Sequence, residues 1–401
     1  MSIKVKVCLL FASFTVLSCT SEKLGDTELA TEEKAFEQVR RIEFEPLFKR
    51  TVATKVIEIE GEPHYAFHDG GELSINVFNM QGQVKWQLQL PTIDAPNGLN
   101  RISDFYWQSS DSIYVFDGQY NRIVLTGVGI EPYRLWDSNS GAIGSSLNGL
   151  IIEVYKKDCE SIMDLVQFVS TNYKSSKDFY EYSHQAVRYN LTKAEYSSGI
   201  PYPPESPYRE YLFWNGSQPY VTRFKDEYLV VFPFDKDLHV YDAEMNYRYA
   251  VDSEPKNFPK AVANQFQTRQ QDDIVRIHFK LNGFNLRTHS VFEYDGRFLF
   301  GKVYRAPAGA DSDLPEDMMA FQISGYKPKF YLQLFELTGG KWAKLGDDLL
   351  VPEESSNLMA VDAEGHYHFW GKDASRETEF VNIYQLLKSQ SNEAFLVEKS
   401  R

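Results

Sequence analysis

Cys19 closes the run Val16-Leu17-Ser18-Cys19, and its surroundings prescribe a reaction: cleavage before the cysteine and acylation of its thiol, as in a bacterial lipoprotein signal. Lys4 and Lys6 precede an apolar stretch, Val7 to Leu17, and a polar segment from Thr20 to Asp26 follows it. Eleven or so apolar residues are too few to span a bilayer and suit a signal-peptide core. Residues 1–18 are therefore read as a removed signal, and acyl chains on Cys19 as the anchor of the mature chain. Cys8 leaves with the signal, so Cys159 has no partner and the fold is expected to stand without disulfides.

Other residue types with chemical potential are scattered. His64, His68 and Asp69 fall within six residues, and an even spacing puts both imidazoles on one strand face. No third ligand stands nearby, so exposed turn residues are expected there. His366 and His368 alternate in Gly365-His-Tyr-His-Phe-Trp370, facing either a central channel or outward from a half-exposed edge or mid-blade strand with Tyr367 and Phe369 buried opposite. Asp311, Asp313, Glu316 and Asp317 offer oxygen ligands in one loop, without the mid-loop glycine and closing glutamate of a calcium site. Cys159 sits among Lys156, Lys157, Asp158 and Glu160 with no histidine to activate it. Gly-x-Ser-x-Gly, His-Glu-x-x-His, the phosphate-binding Gly-x-x-x-x-Gly-Lys and sialidase-type Asp boxes are missing. No catalytic residue, metal or cofactor is assigned on this reading. The aromatic residues around a proline-rich stretch, Tyr180, Tyr182, Tyr202, Tyr208, Tyr211, Phe213 and Trp214, have flat faces that suit sugars or peptides. Tyr202, Tyr208, Tyr211 and Trp214 are taken as the candidate ligand-binding set.

The elements that must carry these residues are strands. The 401 residues include 25 Tyr and 28 Phe, and the runs that hold them are rich in Val and Ile. Strand-turn-strand units recur: Leu73–Phe78 with Val84–Leu90, Asp111–Asp117 with Ile123–Thr126, Leu150–Tyr155 with Ala186–Asn190, Glu227–Phe232 with Leu238–Asp242. Arg297–Gly301 with Phe330–Leu337 and Lys341–Leu345, then Ala363–Trp370 with Phe380–Tyr384, complete the series. About six units at intervals of roughly 40–75 residues predict an all-β, six-bladed propeller over residues 56–390 rather than an oversized β-sandwich. Residues 19–55 are expected to be a spacer with a short helix, since Leu29, Phe36 and Val39 fit one helical stripe, and residues 391–401 a tail. The stretches Ile200–Pro207 and Ala306–Pro315 are expected to be loops, because proline removes the backbone donor a central strand needs.

One segment is sharper than the rest: Ala95-Pro-Asn-Gly-Leu-Asn-Arg-Ile-Ser-Asp-Phe-Tyr-Trp107, then Asp111-Ser-Ile-Tyr-Val-Phe116 and Asn121-Arg-Ile-Val-Leu125. It resembles a family of uncharacterised lipoproteins of Bacteroidota, whose members begin with a lipobox and carry a Pro-Asn-Gly turn followed by an Asp-Ser-Ile strand. Ala95 departs from the acidic residue or glycine common before that turn. The resemblance extends diffusely over about residues 55–390 and implies a six-bladed propeller-like fold in the cell envelope. That family has no established activity to transfer. On the residues alone, Pro96-Asn97-Gly98 is a structural turn and Phe105 to Trp107 enter an inner strand.

A net charge of −14 repels phosphate backbones, so nucleic acid is excluded as a partner, and losing Lys4 and Lys6 makes the mature chain more acidic still. The expectation is a lipid-anchored envelope propeller, in the outer membrane, that binds or scaffolds a protein, peptide or glycan and touches the membrane through its lipid alone. The alternative is a lactonase-, lyase- or hydrolase-like propeller enzyme with acidic and imidazole groups meeting on the axis.

Overall fold

The computed structural model describes residues 35–44, 51–69, 72–92, 94, 98–120, 122–137, 150–166, 183–209, 219–233, 235–255, 285–306, 327–353, 357–373 and 378–387. These residues hold 24 strands, β1 to β24, and one 3-10 helix, Pro207–Arg209. The strands form six four-stranded antiparallel sheets, each a blade.

In the first blade Thr51–Ile59 (β2), Glu62–Asp69 (β3), Ser74–Asn79 (β4) and Val84–Gln89 (β5) pair in chain order. The second comprises Ile102–Ser109 (β6), Ser112–Asp117 (β7), Arg122–Gly127 (β8) and Ile130–Asp137 (β9). The third comprises Leu150–Lys157 (β10), Glu160–Val166 (β11), His184–Asn190 (β12) and Glu195–Pro201 (β13). The fourth comprises Tyr220–Phe224 (β14), Glu227–Val231 (β15), Leu238–Asp242 (β16) and Tyr247–Val251 (β17). The fifth comprises Asn285–Tyr294 (β18), Arg297–Arg305 (β19), Phe330–Thr338 (β20) and Lys341–Leu350 (β21). The sixth takes Asn357–Val361 (β22), Tyr367–Asp373 (β23) and Thr378–Leu386 (β24), and borrows its outer strand, Phe36–Glu43 (β1), from the N-terminal side of the first blade. The first strands β2, β6, β10, β14, β18 and β22 touch in succession around the ring, and β22 returns to β2, which closes it. The protein is thus an all-β, six-bladed propeller.

The middle strands read as continuous apolar runs because both their faces are covered. In β15, Tyr228 and Val230 pack toward the third blade while Leu229 and Val231 pack toward the fifth. Six apolar clusters result, one in each gap between neighbouring blades. Outer strands alternate instead, as in β5, where Leu88 is buried between exposed Gln87 and Gln89.

Residues 36–43 correct the expected helix. They pair antiparallel with β24, from Phe36 opposite Leu386 to Glu43 opposite Phe380. A β-bulge between Gln38 and Arg40 flips the side-chain alternation, so Phe36 fills the gap between blades five and six while Ile42 fills that between six and one. Val39, expected on the buried stripe, is 46% exposed. The sheet also begins earlier than residue 56, since β2 starts at Thr51. Fit to a neighbouring strand overrode helical spacing because an unpaired β24 edge supplied backbone partners.

Candidate functional site

The first strand of each blade lines the axis, and among the described residues four of them, β2, β6, β10 and β14, carry the ion-paired side chains that meet there. Lys55 on β2 places its Nζ 2.8 Å from Oδ1 of buried Asp104 on β6. Asp104 Oδ2 also accepts the backbone N–H of Ile151 at 2.8 Å, so one carboxylate joins blades one, two and three. Glu153 on β10 faces Arg223 on β14, Oε2 to Nη1 2.8 Å, and the guanidinium carbon of Arg223 lies 4.0 Å above the Tyr155 ring. Behind this pair, Arg188 Nε donates to Asp164 Oδ1 at 3.1 Å, and its Nη2 donates to the Tyr228 hydroxyl oxygen at 2.8 Å and to the Ala243 carbonyl at 2.7 Å. The Tyr228 hydroxyl in turn donates to Asp164.

The electrostatics follow from burial in low dielectric with opposite charges alongside. Burial pushes the Glu153 carboxyl up, opposed by the Arg223 charge. Burial, with the Asp164 charge, drives the Tyr155 phenol up to about 12. Tyr228 is pushed higher still by burial and by Asp164. Glu153 and Asp164 are balanced by Arg223 and Arg188, so the group is neutral. In the buried pair, Asp164 and Arg188 each depend on the other, since stranding one buried charge costs about 3–5 kcal/mol.

Beside this array, β14, β18 and Phe298 of β19 enclose a cleft of about 440 Å³ between blades four and five. Thr222 and Ser290 supply hydroxyls, Phe224, Phe292 and Phe298 supply rings, and Glu293 stands at its exposed rim. A pocket of this size, mostly aromatic with a few polar groups, is of the kind that holds a small ligand or a peptide side chain.

The expected site residues are distributed differently. Tyr202 and Tyr208 are not open to a ligand: each is 1% exposed, and their rings stack 4.9 Å apart against Phe232 in the gap between blades three and four. They are buried because the chain leaving β13 must cross that gap to reach β14. Tyr211, Trp214, Tyr180, Tyr182, Phe213, the acidic group at 311–317 and Cys19 lie outside the described residues. His64 and His68 do share a face, but both are buried rather than exposed in a turn. His64 Nδ1 contacts the Glu62 carbonyl at 3.0 Å, while neither His68 nitrogen has a hydrogen-bond partner among the described residues. Burial lowers His68 to about 4, which keeps it neutral. Cys159 is exposed in the two-residue turn between β10 and β11, where Asp158 and Cys159 take φ of 51° and 67°. His368 lies on the mid-blade strand β23 with Tyr367 and Phe369 buried beside it, but at 2% exposure it is itself buried rather than half-exposed. Its Nδ1 pairs with the Tyr65 hydroxyl at 2.7 Å and its Nε2 with Asp362 Oδ2 at 3.1 Å.

Sequence reasoning missed Lys55, Asp104, Glu153 and Arg223. The available signal was an ionisable residue inside an otherwise apolar first strand, as in Ile102-Ser-Asp-Phe-Tyr-Trp107 and Leu150-Ile-Ile-Glu-Val-Tyr155. Such a residue in a strand covered on both faces must be paired or must face the axis.

No protein-family model matches this chain, and no curated protein is similar to it. Among solved structures, a member of the DUF4221 family from Bacteroides vulgatus superposes with a TM-score of 0.59 at 14% identity, covering 88% of this chain and 98% of that one. A protein from Bacteroides fragilis proposed to be exported superposes with a TM-score of 0.51 at 10% identity, covering 88% of this chain and 96% of that one. The likeness is one of fold, and it agrees with the uncharacterised Bacteroidota propeller family that residues 95–126 resemble.

Proposed function

We propose that this propeller is an extracytoplasmic binding module, held to the outer membrane by lipid on Cys19, that takes its ligand at the axial end of the cleft between blades four and five. One observation carries the reading. The carboxylates of the axial array and of the pair behind it, Asp104, Glu153 and Asp164, each face a lysine or arginine, and the acid that lines the cleft, Glu293, stands at its exposed rim. Paired charges hold blades in register and orient a bound polar group; they are poorly placed to shuttle protons. The aromatic lining of the cleft suits a peptide or glycan. The enzyme reading keeps one support, the raised carboxyl of Glu153, whose side chain is 35% exposed at the axis.

A thermal-shift screen of the full chain carrying Cys19→Ser, against envelope peptides and oligosaccharides, tests this. A ligand at a hundredfold excess over its Kd adds about 2.7 kcal/mol, a rise of several degrees. Thr222→Trp, which fills the cleft, is expected to abolish that rise. A rise that survives Thr222→Trp would move the site elsewhere, and turnover of a bound compound that disappears in Glu153→Gln would make the protein an enzyme. Mass spectrometry of the native N-terminus is expected to find acyl chains on Cys19; an unmodified thiol there removes the anchor.

A further inference from the structure

Three hairpin turns in this chain share one backbone design. Asn79 to Gln83, Asp242 to Asn246 and Asp362 to His366 each donate the first residue's N–H to the fifth residue's carbonyl and the fourth residue's N–H to the first residue's carbonyl. Two of them also share their first three residues, Asp-Ala-Glu-Met-Asn at 242–246 and Asp-Ala-Glu-Gly-His at 362–366.

What surrounds the carboxylates separates the two. At 242–246 fixed cations stand beside both: Arg248 Nη1 is 3.9 Å from Asp242 and Lys157 Nζ is 3.7 Å from Glu244. At 362–366 the groups in contact with Asp362 are imidazoles and a backbone N–H. His366 Nδ1 and His368 Nε2 each stand 3.1 Å from Asp362 Oδ2, and the His366 N–H donates to Oδ1 at 2.8 Å. Neither Asp362 nor Glu364 forms an ion pair with a lysine or arginine among the described residues; Arg40, on β1, is close enough to affect His368 electrostatically. One ligand atom from each of Asp362, Glu364 and His366 lies within 4.8 Å of the others.

We infer that the β22–β23 turn is a binding site for a borderline divalent transition metal of the zinc class, held by Asp362, Glu364 and the Nδ1 of His366. A nitrogen and two carboxylate oxygens, with solvent completing the shell, are a donor set that zinc takes and that calcium and magnesium, which want oxygen alone, do not prefer. Zinc bonds of about 2.0–2.1 Å need donor atoms roughly 3.4 Å apart, so the three groups must draw together by at most about 1.5 Å. Glu364 is exposed and free to supply that movement. Asp362 is already fixed by His368, itself anchored on Tyr65 at 2.7 Å, which is the outer-shell support that metal-binding carboxylates have. On binding, His366 presents its Nδ1 lone pair with its proton on Nε2, and Asp362 keeps the His368 contact.

The experiment uses the full chain with Cys19→Ser, titrated with Zn²⁺ by calorimetry at neutral pH and with Co²⁺ by visible absorption. One ion per chain is expected, with Kd in the micromolar range and a cobalt spectrum of nitrogen and oxygen ligation. His366→Asn copies the residue that the 242–246 turn already carries at that position, so the fold should persist, as circular dichroism will show, while affinity falls at least thirtyfold. Glu364→Gln is expected to cost about tenfold. Wild-type affinity in a folded His366→Asn protein, a sulfur-to-cobalt charge-transfer band pointing to Cys159, or a Kd above about 1 mM would each overturn the assignment.

Discussion

The turns at 242–246 and 362–366 share three residues and a hydrogen-bond pattern, yet one sends a side chain into the gap between blades and the other lays bare glycine backbone against Tyr294. At the fourth position both need a left-handed backbone. Met245 adopts it at φ 67° and is 2% exposed, its side chain spent on the gap between blades three and four. Gly365 adopts it at φ 83° because a side chain would have nowhere to go: a Cβ there would come within 2.3 Å of Tyr294 Cε2. At the fifth position Asn246 bonds back to Asp242 Oδ2 at 3.3 Å, whereas His366 brings a ligand nitrogen to Asp362. Identical backbone chemistry thus leaves the side chains free to serve packing in one blade and coordination in another.

Substitutions at these turns separate the two roles. Gly365→Ala combines the left-handed strain with a clash on Tyr294 and is expected to cost about 2–4 kcal/mol by denaturant unfolding, against less than 1 if the Tyr294 ring swings clear. Met245→Gly relieves backbone strain but empties part of an apolar gap; a smaller loss, about 1–3 kcal/mol, is expected on the same assay, and no loss would mean that its packing contributes little. Grafting Asn246→His into a chain that already carries His366→Asn should restore zinc binding at roughly a tenth of native affinity, because Arg248 and Lys157 oppose a dication there. Equal affinity in calorimetry would show that those cations do not matter.

The smallest effect is one of pH. Burial raises the Asp362 carboxyl, but hydrogen bonds from the His366 N–H and from the two imidazoles outweigh it and hold the carboxyl below its ordinary 3.8. Its stabilisation is therefore complete above that value and is lost as pH falls through the lower folded value. Below about pH 4 the wild type should lose stability more steeply than Asp362→Asn in acid titrations followed by fluorescence. Parallel acid limbs would deny the carboxylate that role.

Much of the fold was readable because middle strands buried on both faces are the strongest apolar runs in the chain. All six blades were found through such runs, including Glu227–Phe232 and Phe330–Leu337. First strands were fainter, since Asp104, Glu153 and Arg223 interrupt them, and those interruptions are the axial array itself. The array was illegible as a site because its members lie in different blades and meet only once the ring closes. Tyr202 and Tyr208 misled for the converse reason: an aromatic beside prolines looks exposed until a neighbouring blade covers it.

Local alternation and turn residues were enough to specify an acidic, repeating β chain, because each is a property of neighbours along the chain. Which strand completes the sixth sheet, which charges neutralise one another on the axis, and which of two similar turns has no lysine or arginine ion pair among the described residues were decided by the closed ring. Those are relations between residues up to about 350 positions apart, such as Phe36 with Leu386, and spacing along the chain carries no record of them.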